Sequence, residues 1–399
     1  MSIQAATDSK LKRLLAQKKL VVCVGSGGVG KTTTAAALGL QSACEGRRVL
    51  VITIDPARRL ANALGLESIG NRESEVPAHV FAAAGLQCRG TLHAMMLDTR
   101  TTFDDLIARV APDEETRARI MNNNIYHQIS NAISTAQDVM ATEKLHDVYT
   151  RGEYDLIVLD TPPMKNALDF LEAPHRMTRF LDEKIIKWFL KPMENEKTSS
   201  ISALSARLMQ STGAMAYKLL GYIFGNEFLV ELNEFFINFK DMTRGFRLRS
   251  EQVAALLHSQ ETTFLVVCGP GRTSVEDARH FVAQLRERKL PAGGLIVNQV
   301  RPAIEDPFSA QQVLSVSERA EVLQAVAEVE PLLERVERFY RWSHQRSQQD
   351  QRAVAELRRL SAGTLFKIVP RMIEEISDIP GLMRINAHLF GADEPVKQS

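Results

Sequence analysis

Residues 25–34 read GSGGVGKTTT, an order of side chains suited to holding phosphate. Gly25, four intervening residues and then Gly30-Lys31-Thr32 satisfy the G-x-x-x-x-G-K-[ST] pattern. Glycines let the backbone approach phosphate oxygens, and amides at a helix N-terminus point toward them. The Lys31 ammonium is placed for the β- and γ-phosphates, and the Thr32 hydroxyl for Mg²⁺. The plainer reading is a glycine-rich turn that binds nothing. It would not require the flanks seen here: an apolar strand-type run over 20–24 (LVVCV) and an Ala/Leu-rich helix-forming run over 33–44.

Two aspartates extend this chemistry. Asp160 follows four apolar residues in IVLDTPP, the Walker B arrangement, where a buried carboxylate holds Mg²⁺ through a water. Asp55, in IDPARRL, is placed to orient the attacking water or take its proton. An aspartate that ends a strand also serves as a turn former or helix cap. That role stays open for Asp160 and for Asp55, which precedes Pro56.

The elements needed to position these groups are legible as apolar runs. Strands are expected at 20–24, 48–55, 154–160, 262–268 and 293–298, with another at 366–369. Helices are expected over 5–18, 32–45, 56–65 and 274–289. Strands without polar alternation, separated by helices, predict an α/β fold with a mostly parallel sheet flanked by helices on both faces. Ligand then lies across the carboxyl ends of the strands, where Gly25, Asp55, Asp160 and Asn298 all fall. Residues 101–150 and 175–250 break the sheet rhythm and predict an inserted helical subdomain. The core is then 1–100, continued by 151–174 and 251–399, with a long amphipathic helical region at 315–361 bent near Pro331.

Composition bounds the partners. Lys and Arg number 49 against 48 Asp and Glu, so no general field recruits nucleic acid or a membrane surface. The four cysteines form no C-x-x-C pair, and Cys23 and Cys268 sit in strand-type runs where a thiol behaves as a small hydrophobe. A polar N-terminus and the lack of any long apolar window predict a soluble cytoplasmic protein with at most indirect membrane association.

GSGGVGKTTT, IDPARRL, LDTPPMKNALDFLEAP and IVNQ occur in an order that resembles the ArsA/guided-entry family of P-loop ATPases. The resemblance implies a P-loop NTPase that uses ATP and Mg²⁺ and works as a dimer, with itself or with a related ATPase. It places Gly27, Gly28, Val29, Gly30, Lys31, Thr32 and Thr33 on the phosphates and Thr32 and Asp160 on Mg²⁺. Asp55 matches the family's catalytic switch I aspartate, with Lys31 beside it, and Asn298 its adenine-reading asparagine. A carboxamide offers the adenine edge both a donor and an acceptor. As a strand-end turn former, Asn298 has a plainer alternative role.

Departures from the family pattern are informative. Its first loop lysine, which reaches across the dimer to the partner's phosphates, is Ser26 here. Switch I carries Arg58-Arg59 in place of His-Ser, and switch II carries Lys165-Asn166 in place of Gly-His. Arg58 and Lys165 are therefore candidates to restore the lost cation, because arginine and lysine clamps serve phosphoryl transfer. Solvated charges on switch loops are the plainer alternative, and a hetero-partner supplying the lysine is another.

Function within the resemblance divides by what the ATPase drives. Residues 164–246 hold six of thirteen methionines and nine of seventeen phenylalanines. Phe224, Phe228, Leu232, Phe235 or Phe236, and Phe239 recur at helical spacing. Such a face suits a hydrophobic client or membrane-anchor helix, ordinary subdomain core, or a partner interface. A partner-regulated scaffold or switch without a client is the second reading. An arsenite pump subunit is the third; it needs clustered thiolates, whereas these cysteines are scattered along the sequence.

Overall fold

The computed structural model describes residues 9–54, 59–111, 113–123, 136–162, 245, 247–303 and 330–391. Within them lie eight strands: Leu20–Val24 (β1), Arg48–Thr53 (β2), Ser74–Glu75 (β3), Thr91–Met96 (β4), Leu156–Asp160 (β5), Thr262–Cys268 (β6), Ala292–Val300 (β7) and Leu365–Pro370 (β8). They form one sheet in the order β3-β4-β2-β5-β1-β6-β7-β8. Every pairing is parallel except β3 with β4. The expected α/β fold with a mostly parallel sheet is the fold observed.

Side-chain alternation divides the sheet between two apolar layers. Leu20, Val22, Leu50, Ile52, Ile157, Leu159, Phe264 and Val266 enter one cluster. Val21, Cys23, Val49, Val51, Leu156, Val158, Leu265 and Val267 enter the other. The first layer is covered by α5 (Thr99–Val110), α6 (Glu114–Met121), α7 (Ala136–Arg151), α8 (Arg272–Glu287) and α9 (Glu330–Leu360), with the helical residues 247–258. The second is covered by α1 (Lys10–Ala16), α2 (Lys31–Cys44), α3 (Arg59–Ala63), α4 (Ala78–Ala83) and α10 (Ile379–Leu389). With both faces covered, the central strands carry apolar residues on both faces, with polar residues only at their ends, which is why they read as unbroken runs. Phe264 on β6 and Phe281 on α8 are completely buried in the first layer, each contributing about 2–3 kcal/mol by area.

Expected and observed elements differ in a few places. β2 ends at Thr53, β5 starts at Leu156, and β7 runs past Asn298 to Val300. The short pair β3–β4 was not anticipated, because TLHAMM in β4 mixes His and Met into an alternating, half-buried pattern near the sheet edge. Described helices from 101–150 share one apolar cluster with the sheet, through Phe103, Ile107, Met140, Leu145 and Val148. The stretch 175–250 falls almost wholly outside the described residues, as do residues 315–329.

One buried ion pair ties the first helical layer together. Glu143 on α7 accepts from Arg249 Nε at 2.6 Å, with side chains only 4% and 17% exposed. Burial raises the Glu143 pKa above its ordinary 4.5, against the opposing pull of Arg249. A raised folded-state pKa means the fold favours the protonated acid. This group's contribution is complete below the ordinary value and is lost as pH rises through the raised one. Glu143→Gln is therefore expected to flatten the fall in stability above pH 4.5, read as urea midpoints across that window. An unchanged slope would show that Glu143 does not carry it.

Candidate phosphate-binding site

The site is built where three parallel strands end together. Cys23 and Thr53 each stand in register with Asp160, so the ends of β1, β2 and β5 lie abreast. Thr53 and Asp160 point to the same face as Val51 and Val158, the face that α2 covers. The first turn of α2 then delivers Thr32 to the carboxylate. Thr32 Oγ1 donates to Asp160 Oδ2 at 2.5 Å, and Thr53 Oγ1 donates to the same oxygen at 2.9 Å. Asp160 is 1% exposed and Thr53 is fully buried.

The loop joining β1 to α2 is shaped by close backbone contacts. A Cβ on Gly25 would lie 2.0 Å from the Val267 carbonyl oxygen, so β6 leaves no room for any other residue there. Gly30, at the N-cap of α2, has φ of 89°, in the left-handed region. A Cβ at Gly30 would also lie 2.3 Å from Asn298 Nδ2. Gly30→Ala is therefore expected to cost about 1–2 kcal/mol in backbone strain alone and to displace Asn298. Denaturant unfolding together with nucleotide titration checks this; wild-type values for both would refute the strain argument.

Lys31 begins α2 and is 7% exposed. Its Nζ donates to the Ser26 carbonyl at 2.9 Å, which holds the ammonium across the loop. Ser26 Oγ donates to Asp277 Oδ2 on α8 at 2.8 Å. Position 26 therefore meets a carboxylate rather than presenting a cation.

A bulge in β7 braces the loop from the other side. Register with β8 shifts between Val297 and Val300, and Gln299 adopts φ of 63°. A bulge re-aims the side chains beside it. Asn298 Nδ2 donates to the Val29 carbonyl at 2.8 Å, and Gln299 Nε2 to the Gly28 carbonyl at 3.2 Å. The expectation gave Asn298 both a donor and an acceptor for adenine; here its amide nitrogen also donates to the loop. Beside the loop opens a cavity of about 820 Å³ lined by Gly28, Val29, Gly271, Gln299, Arg301 and Arg371, among others. Arg301 is held in place by Nη1, which donates to both carboxylate oxygens of Asp350 on α9 at 3.0 and 3.1 Å.

Of the sequence candidates, the structure brings together the loop residues Gly27–Thr33, Asp160 and Asn298. Asp55, Arg58 and Lys165 lie outside the described residues. Sequence reasoning missed Thr53, Asp277 and Gln299. A hydroxyl after the apolar run VLVI was a usable signal for Thr53, whereas Asp277 is one acid among several on an amphipathic helix. Among the described residues, no helix is long and apolar enough to cross a membrane, and no group of three His, Cys, Asp or Glu could hold a metal ion.

Thr32 and Asp160 together form a hydroxyl–carboxylate donor set of the hard-oxygen type that suits Mg²⁺, at the foot of the glycine-rich loop. Residues 18–329 match the family described as Anion-transporting ATPase, ArsA_ATPase. The chain is similar to "ATPase ASNA1 homolog 1" of Paramecium tetraurelia, 24% identical over 306 residues, covering 75% of this chain and 80% of that protein. It is also similar to "ATPase get3" of Aspergillus terreus, 25% identical over 296 residues, covering 73% and 77%. "ATPase GET3" of Malassezia globosa is 25% identical over 304 residues, covering 75% and 78%.

Proposed function

For a chain that belongs to the ArsA family of anion-transporting ATPases, we propose Mg²⁺-dependent ATP binding at residues 25–33 and hydrolysis that drives a switch between two conformations. The observation that carries this reading is the Thr32–Asp160–Thr53 cluster, which ties the phosphate loop to the ends of two sheet strands. Thr32 and Asp160 would hold Mg²⁺, which when bound neutralises charge on the β- and γ-phosphate oxygens.

The chain's own groups supply the remainder. Loop amides from Gly27 to Thr33 orient the phosphates, and Lys31 exchanges its bond to the Ser26 carbonyl for the phosphate oxygens. Asp55, following β2, orients the attacking water. Asn298 and Gln299 hold the loop's outer carbonyls, so its amides face inward. The cavity beside the loop accommodates base and ribose, with the Asn298 carbonyl oxygen as an acceptor. Since Ser26 bonds Asp277, the cation for the transition state comes from Arg58 or Lys165.

The segments carrying Asp55 and Lys165 leave the two strands that Asp160 links. Loss of the γ-phosphate therefore acts on both segments at once. The working unit is a dimer, of this chain or with a related ATPase. The Phe224–Phe239 face is the part assigned to a hydrophobic client helix.

The test is phosphate release by the purified full chain. Turnover that requires Mg²⁺ and rises with an added apolar helix supports the whole reading. Turnover indifferent to such helices leaves the ATPase and removes the client. ATP binding without phosphate release would favour a scaffold, and failure to bind ATP would sink the proposal.

A further inference from the structure

Away from the phosphate loop, α2 ends at Cys44, and Cys88 lies in the segment that enters β4. Backbone contacts clamp these two segments together. Gly90 N donates to the Ala43 carbonyl at 2.9 Å, and Thr91 N to the Arg47 carbonyl at 3.2 Å. Cys88 Sγ lies 3.5 Å from the Gly90 carbonyl oxygen. Both cysteines are half-buried and pack against one apolar cluster, where each perturbs the other's thiol. The other two cysteines, Cys23 and Cys268, are buried inside β1 and β6.

We propose that Cys44 and Cys88 are a modification site: a peroxide converts them to a reversible disulfide joining the C-terminal end of α2 to the entry of β4. In the first step the Cys88 thiolate attacks one peroxide oxygen and the O–O bond breaks. Cys88 becomes a sulfenic acid, and the other oxygen leaves as hydroxide, which takes a proton to become water. In the second step the Cys44 sulfur attacks the Cys88 sulfur. The S–O bond breaks, a second water leaves with the Cys44 proton, and the S–S bond forms. The two thiols lose two electrons and the peroxide gains them. A dithiol reductant reverses the change by exchange.

The surroundings assign the two roles. The neighbouring Cys44 lowers the Cys88 thiol below its ordinary range, while Cys88 and burial raise that of Cys44. Cys88 is thus the thiolate, and Cys44 the resolving thiol beside it. Burial raises the Cys23 and Cys268 thiols, so neither competes for oxidant.

The experiment treats the reduced full chain with hydrogen peroxide, blocks remaining thiols by alkylation, and maps peptides by mass. The expected result is a loss of about 2 Da, a linked peptide pair containing Cys44 and Cys88, and reversal by dithiothreitol. Cys44→Ser should leave Cys88 trappable as a sulfenic acid by dimedone. Cys88→Ser should react at least about tenfold more slowly than Cys44→Ser. The proposal is overturned if wild type keeps all four thiols, or if the link uses Cys23, Cys268 or a second molecule. It is equally overturned if Cys88 proceeds to sulfinic acid while Cys44 stays reduced. The wild-type map decides the matter even if a variant does not fold.

Discussion

Lys31→Ala is expected to lower ATP turnover by about 10²–10³-fold, equivalent to roughly 3–4 kcal/mol of transition-state stabilisation. Among the loop's side chains from Gly25 to Thr33, Lys31 is the cation, and it is buried at the start of α2 with its ammonium across the loop. Charge that builds on phosphate oxygens in a water-poor site depends strongly on such a group. The fold depends on it far less. Alanine is the better helix former, and a buried ammonium carries a desolvation cost that its removal relieves. Stability should change by less than about 1 kcal/mol, as for a substitution that creates no large cavity. Comparing phosphate release with urea midpoints separates the two effects. A variant that loses turnover only in proportion to lost folding would assign Lys31 to structure alone.

Asp160→Asn is expected to cost at least about a hundredfold in turnover and to raise the Mg²⁺ concentration needed for half-maximal rate. The amide keeps an oxygen that the Thr32 and Thr53 hydroxyls can reach at 2.5 and 2.9 Å, so the junction of α2, β2 and β5 is preserved. What disappears is the negative charge. Asp160→Ala, by contrast, removes the acceptor from Thr53, which is fully buried, and should also destabilise by about 1–3 kcal/mol. A Mg²⁺ titration of phosphate release distinguishes them. An unchanged Mg²⁺ requirement in Asp160→Asn would exclude the carboxylate as the metal's holder.

The glycine-rich loop, the place of Asp160 and the central strands were legible because their signals are local. β1, β5 and β6 are buried on both faces, so each reads as a short unbroken apolar run beside the residue it positions. Strand order was not local, and neither were the partners. Thr53 meets Asp160 because β2 and β5 are neighbours in the sheet, although they are far apart in the chain. Asn298 was found as a strand-end amide, but the bulge that turns it and Gln299 onto the loop has no mark in GGLIVNQV. Cys44 and Cys88 read as scattered because their meeting depends on β4, the strand that the alternating TLHAMM concealed.

The bond from Ser26 to Asp277 constrains the routes by which this sequence can change. A lysine placed at 26 would arrive beside a carboxylate within its own chain and spend its charge there. Ser26→Lys alone should therefore add little to turnover, and Asp277→Asn alone should loosen one loop contact. The pair together should do more than the sum, since only then is the ammonium released from the carboxylate of its own chain. Position 26 is in this sense epistatically locked. A free cation at 26 is reached one substitution at a time only when the Asp277 carboxylate is removed first.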